Sequence, residues 1–300
     1  PGEKDKADPA LIPHMEWHDN PEWAYGGGLY HVKADYRLMV DNLMDLTHET
    51  YVHATSIGQP EIEETVPATR VEGNSAITSR FMSNISAPPF WRAALRGNHL
   101  ADDVPVDRWQ ICRFTPPSHV MIEVGVAHAG HGGHEAPADK RVSSIVVDFI
   151  TPETETSIWY FWGMARNFNV KDTALTANIR DGQAAIFQED VGILEAQQRN
   201  LTEQPDRHLM RLNIDMGGFE ARRILERLVA EEQNDLLRAR ALNRALPRDW
   251  VTTAGAVVIA AAPVPQPPSN CSVRTRVRTT AHARPKHPLM ADNGAPFSDD

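Results

Sequence analysis

The sequence is poor in cysteine and in long apolar runs. Its 300 residues hold two cysteines, Cys112 and Cys271, far apart in the chain, so no disulfide framework is implied. No stretch of about 18 consecutive apolar residues occurs, and no membrane span is expected. The longest candidate, residues 254–264, is short and closed by prolines. A basic start followed by an apolar run is also missing, so no signal peptide is visible and a cytoplasmic setting is expected. Excess positive charge is lacking too: 30 Lys and Arg stand against 40 Asp and Glu, a net charge of -10. Nine of those cations, against five acids, fall in residues 234–300, which leaves an acidic body of 21 cations and 35 acids. Phosphate binding is driven by Lys and Arg, so a nucleic-acid partner is not expected. The basic stretch near the end has dispersed arginines and no aromatic platform.

What is present is one dense stretch, residues 41–53, with Asn42, Asp45, His48 and His53 within twelve residues. Asn42, Asp45 and His48 are three apart and wind round an ideal helix rather than lining one stripe. His48 and His53 are five apart, an angle of 140° after a full turn. For both to serve one metal, the helix over 38–53 has to widen as a π-bulge does, or end near His53. On spacing alone, an amphipathic helix with two incidental histidines fits equally. Two imidazoles and one carboxylate on one face of an octahedron leave open positions suited to non-haem Fe(II) oxygen chemistry. The carboxylate must come from elsewhere. Asp190 lies beside an apolar face, where an unpaired carboxylate is expensive, and is the candidate; Glu189 is the neighbour that could be mistaken for it.

The string Asn42-x2-Asp45-x2-His48-x4-His53 resembles the iron-binding signature of the Rieske non-haem iron oxygenases. The strings 148–157, 159–168 and Gln188-Glu-Asp190-Val-x3-Glu195-Ala-Gln-Gln198 resemble the aromatic O-demethylase branch of that family, over about residues 1–233. The resemblance implies that His48, His53 and Asp190 hold a mononuclear Fe(II). Asp45 would pass an electron from a Rieske [2Fe–2S] cluster of a neighbouring subunit, and Asn42 would hydrogen-bond near the iron. It implies O2 and a methoxybenzoate such as vanillate as substrates, with the phenol and formaldehyde as products. It also implies NAD(P)H electrons delivered by a ferredoxin-type reductase, and a homotrimer. The cluster signature, C-x-H and later C-x2-H, is not in the sequence, so turnover without a Rieske domain is not expected. Substrate contacts are expected from Trp159, Tyr160, Arg166 and Asn167, which are close in sequence. Asp148 stands where dicamba-type relatives offer a His, so that contact does not carry over.

The resemblance and the residue pattern agree on an α+β chain of the helix-grip (START-like) class, a curved antiparallel sheet with helices carrying the iron site. Alternation over 28–36 reads as a strand leading into the helix at 38–53, and alternating runs from 60 to 166 read as six or seven strands, one of them covering residues 63–72. Residues 84–91 read as a loop, with Phe90 and Trp91 as loop packing or a lid over the substrate. Residues 171–233 return to helical periodicity. The expected organisation is a linker over 1–20, a catalytic domain over 21–233 and an atypical, largely disordered tail over 234–300, whose first part, from Arg238, can extend a helix until Pro247. The triplet His128, His131 and His134 lies in a Gly-rich loop and reads as a mobile connection. A second reading is a non-catalytic helix-grip module that binds an aromatic acid with a vestigial iron site.

Overall fold

A computed structural model describes residues 15–207 and 212–245, together with residues 8, 9, 12, 13 and 210. Most of the expected tail therefore lies outside the described residues. Strand β1 (Ala24–Val32) leads into helices α1 (Tyr36–Met44), α2 (Glu49–Val52) and α3 (Glu61–Glu64). Strands β2 (Ala68–Glu72) and β3 (Ser75–Ile85), helix α4 (Pro89–Gly97), and strands β4 (Val106–Thr115), β5 (His119–His128), β6 (Arg141–Thr154) and β7 (Ser157–Arg166) follow. Two long helices close the order, α5 (Thr173–Glu203) and α6 (Met216–Ala245).

The seven strands form one antiparallel sheet in the order β1-β7-β6-β5-β4-β3-β2. From β2 to β7 each strand lies beside its sequence neighbour, through short connections except where α4 stands between β3 and β4. The exception is β1, which adds beside β7, with Ala24 opposite Arg166 and Val32 opposite Ile158. That places the start of α1 at the Val32–Ile158 end of these strands, opposite the Arg166 end from which α5 departs, and the far part of α5 reaches back to it, Gln198 accepting from the Asp35 amide at 2.8 Å. The expected α+β fold with an antiparallel sheet is observed. One face of the sheet carries the core, with Val106, Phe114, Val120, Val146 and Ile150 pointing to it, and the helices cover it with Leu38, Met39, Leu43, Ile179, Phe187 and Leu194. Full burial of each such side chain stabilises the fold by roughly 1.5–3 kcal/mol.

Two expected elements are corrected. Residues 63–72 are not one strand: the acidic run at 61–64 forms a helical turn, and only Ala68–Glu72 pair with β3. Pro67 separates the two, because the residue before a proline is driven out of the helical region. The loop read over 84–91 ends early, since α4 starts at Pro89 with Pro88 as its extended N-cap. A proline is suited to the first turn of a helix, where its missing N–H costs nothing.

The long helix α5 spans ~46 Å at about 1.5 Å per residue. Asp172 caps it by accepting from the Leu175 amide at 2.9 Å. Its buried positions Ile179, Gln183, Ile186, Phe187, Asp190 and Leu194 recur at three and four residues, so Asp190 lies on the stripe that faces the sheet. Helix α6 crosses close to α1 at Gly217, where a Cβ would sit 2.7 Å from the Met44 carbonyl oxygen. Among the described residues, no helix is long and apolar enough to cross a membrane.

Candidate metal centre and substrate cavity

The helix expected over 38–53 is broken, and the break builds the site. Asp35 caps α1, accepting from the Arg37 amide at 2.8 Å. The helix then stops at Met44 because Asp45 turns extended and its carboxylate accepts from the Thr47 amide (2.7 Å) and hydroxyl (2.5 Å). Such a local side-chain turn competes with helix continuation. His48 then precedes the single turn α2 and His53 ends it. No π-bulge is formed; the helix ends at Val52, and the two imidazoles flank one turn.

Both rings aim Nε2 at the same carboxylate oxygen. His48 Nε2 lies 3.5 Å and His53 Nε2 3.4 Å from Asp190 Oδ1. The three ligand atoms lie within 4.8 Å of one another, and among the described residues this is the one such cluster of three or more potential metal-ligating side chains. The other ring nitrogens are engaged as well. His48 Nδ1 is 2.8 Å from the carbonyl oxygen of Asp45, and His53 Nδ1 is 2.6 Å from Glu189 Oε2. A carbonyl and a carboxylate only accept, so each Nδ1 carries a hydrogen, and each Nε2 is the nitrogen that would give up its proton to bind a metal. Asn42 Nδ2 donates to Asp190 Oδ1 at 3.0 Å. The Asp45 carboxylate is 3.6 Å from His48 Nδ1. Two neutral imidazoles and one carboxylate are a donor set that fits Fe(II).

The electrostatics fit a site that exchanges protons for a cation. Burial opposes charge on His48, but hydrogen bonds to Asp190 and Asp45 outweigh it and carry its pKa up to about 10. Burial likewise works against the Asp190 carboxylate, yet His48 and His53 hold it down to about 2. His53 is raised in the same way, with burial opposed by its bonds to Asp190 and Glu189. These are the responses of groups that prefer a positive charge in their midst.

The centre opens into a cavity with about 650 Å³ of empty space, its mouth included. Ile122, Val124, Val146 and Met164 form its floor on the sheet, and Phe187 and Ile186 of α5 and Phe90 and Trp91 of α4 form walls. Arg108, Gln110 and Glu49 supply polar groups at the wall. Phe90 and Trp91 line the cavity from a helix, not from the loop read over that segment.

The substrate contacts expected from the 159–167 string are not found at this cavity. Trp159 is 38% exposed on β7 and its indole bonds Glu153. Tyr160 is fully buried behind Phe187 and donates to Asp148 at 2.7 Å. Arg166 is buried and consumed by the start of α5, bonding the carbonyls of Phe168, Asn169 and Asp172 and the Thr176 hydroxyl. Asn167 is exposed and does not line the cavity. Trp159 lies on the opposite face of β7 from the lining Met164, whereas Tyr160 and Arg166 share the face of Met164 but stand to either side of it along the strand, covered by Phe187 and by the start of α5. The triplet His128, His131 and His134 does not converge either: His128 bonds the Ala101 carbonyl, and His134 packs on Phe81. Glu189, set aside as a ligand, is the partner that orients His53. A carboxylate one residue before a candidate ligand was the available signal. Nothing in the sequence pointed to Arg108 or Gln110.

A buried two-His, one-carboxylate centre lining a largely apolar cavity, on an antiparallel sheet gripped by a long helix, defines the catalytic domain of a Rieske-type oxygenase. Residues 32–231 match the family model described as the vanillate O-demethylase oxygenase C-terminal domain, and the chain belongs to that family. It is 72% identical over 233 residues to the vanillate O-demethylase oxygenase subunit of Pseudomonas sp. (strain ATCC 19151), a match covering 78% of this chain and 71% of that one. Among solved structures, dicamba monooxygenase bound to 3,6-dichlorosalicylic acid superposes with a TM-score of 0.70 at 29% identity, over 78% of this chain and 67% of that one. Dicamba monooxygenase with non-heme iron and dicamba superposes with a TM-score of 0.60 at 28% identity, over 79% and 66%. The chain thus spans about two thirds to seven tenths of the proteins it matches.

Proposed function

We propose that this chain is the iron-bearing part of an aromatic O-demethylase oxygenase and that vanillate, or a similar methoxybenzoate, is its substrate. The observation that carries the reading is the convergence of His48, His53 and Asp190 on the lining of a largely apolar cavity. These three residues would hold Fe(II), which when bound supplies the activation of O2. The protein's own part is to place the methoxy carbon. Phe187, Trp91 and the floor of Ile122, Val124 and Val146 take the flat ring and keep water out. Glu189 and the Asp45 carbonyl fix both imidazoles in one tautomer. Asn42 holds the Asp190 oxygen in place from the far side.

The net reaction converts the aryl methyl ether and O2, with two electrons and two protons, into the phenol, formaldehyde and water. The electrons would come from NAD(P)H through a ferredoxin-type reductase and a Rieske [2Fe–2S] cluster. The sequence offers no ligands for that cluster, so a Rieske domain must deliver them, in a trimer with the cluster of a neighbouring subunit. Asp45 is the carboxylate through which that electron would arrive, since it reaches His48 from the side facing away from Asp190.

Hydrogen peroxide tests the reading without the cluster, because it brings both the oxygen atom and the electron pair. The Fe(II)-loaded chain is expected to release formaldehyde from vanillate with peroxide, and His53→Ala to release none. Formaldehyde release unchanged by His53→Ala, or no binding of vanillate at all, would overturn it.

A further inference from the structure

We infer that Gln110, locked by Glu49 beside Arg108, is the residue that recognises a hydroxyl on the substrate ring. The inference rests on the proposed aromatic O-demethylase function and specifies which substituent the cavity reads. Arg108 and Gln110 are alternate residues of β4, share one face of the strand, and both line the cavity. Each is buried, with 2% and 3% of its surface exposed. Arg108 spends its terminal nitrogens on Glu49 (3.0 Å), the Gln59 side chain (2.7 Å) and the Ile57 carbonyl (2.9 Å). Gln110 donates its amide nitrogen to the other oxygen of Glu49.

Glu49 thereby decides what is left over. Its carboxylate only accepts, so the Gln110 amide presents nitrogen to it and keeps Oε1 free. Gln110 Oε1 and Arg108 Nε are both buried without a partner. A buried acceptor and a buried donor on neighbouring positions of one strand face are costly unless something completes them. A phenolic hydroxyl does both, donating to Gln110 Oε1 and accepting from Arg108 Nε–H.

Charge argues against a carboxylate at this place. Arg108 is the sole guanidinium or ammonium among the described residues lining the cavity, and Glu49 already neutralises it. The remaining carboxylates there, Asp45 and Asp190, are negative. With Arg108 already paired, the wall offers a substrate carboxylate no free cation, whereas the unpartnered Gln110 Oε1 and Arg108 Nε suit a neutral hydroxyl.

The test compares two acids that differ by that hydroxyl, vanillate and 3-methoxybenzoate, binding to the Fe(II)-loaded full chain under anaerobic conditions by calorimetry. The wild type is expected to bind vanillate at least tenfold more tightly. Gln110→Met, which keeps the volume, is expected to weaken vanillate about tenfold and to leave 3-methoxybenzoate within threefold. Equal affinities in the wild type overturn the inference even if the variant does not fold. Equal weakening of both acids by Gln110→Met overturns it as well, since Gln110 would then be packing alone. Binding of neither acid to the wild type overturns the proposed function itself.

Discussion

Replacing Asp148 by Asn should make the domain more stable, and increasingly so as the pH rises. Asp148 sits on β6 with no exposed surface, and one of its oxygens has no hydrogen-bond partner. Burial pushes its pKa from 3.8 up to about 7, with the Asp190 charge adding to the rise and the Tyr160 hydroxyl opposing it. A carboxyl that binds its proton more tightly when folded stabilises the fold fully below its unfolded pKa. That contribution is lost as the pH climbs from there through the folded value. About three pKa units at roughly 1.36 kcal/mol each give ~4 kcal/mol between the two limits. Asn keeps the oxygen that accepts from Tyr160 and has no proton to lose. Urea unfolding of both proteins at pH 5, 6, 7 and 8 reads the difference directly. The advantage of Asp148→Asn should grow by about 3 kcal/mol from pH 5 to pH 8 and then level off. A difference constant across that range would refute the reasoning, because Asp148 would then be ionised in the fold throughout.

Three further outcomes are expected. Glu189→Gln should weaken Fe(II) binding about 10- to 100-fold with the fold intact, since it removes the charge that orients His53; an affinity within twofold of wild type in a chelator competition would contradict this. Fe(II) affinity should rise about tenfold per pH unit between pH 6 and 8, because the metal must displace a proton from His48, whose pKa lies near 10; an affinity flat over that range would show the site already deprotonated. Arg166→Leu should lower stability by roughly 2–4 kcal/mol through orphaned carbonyls at the head of α5; vanillate affinity of the folded protein should stay unchanged, and a selective loss of binding would return Arg166 to the substrate site.

The centre was legible through the resemblance of residues 42–53 to a known iron-binding signature, since on spacing alone the histidines fitted an ordinary amphipathic helix; the physical hints were weaker. Asp190 interrupts an apolar helical stripe, and His48 and His53 sit at a spacing that no single helix face accommodates. That spacing called for a local departure from the helix, and the turn at Asp45 and Thr47 provides the break, although the end at Met44 was not foreseen. The sheet was legible from alternation, since β4 to β7 bury one face. Strand β2 was drawn too long because Glu61–Glu64, with no apolar stripe, gives no helical signal except its acidic first turn. The cavity wall was not legible. Gln110 and Arg108 look like ordinary polar residues on a strand, and their role depends on Glu49 arriving from α2, about 60 residues away in sequence. Conversely, the string 159–167 drew attention by its aromatic density, while its side chains serve the outer face and the start of α5.

The central claim is that His48, His53 and Asp190 hold one iron beside an aromatic site. Anaerobic loading with Fe(II), followed by nitric oxide and EPR with and without vanillate, tests it most directly. The account predicts one high-spin iron–nitrosyl signal per chain, altered by vanillate and lost in His53→Ala. A folded protein that gives no such signal, or one that survives in His53→Ala, would contradict it.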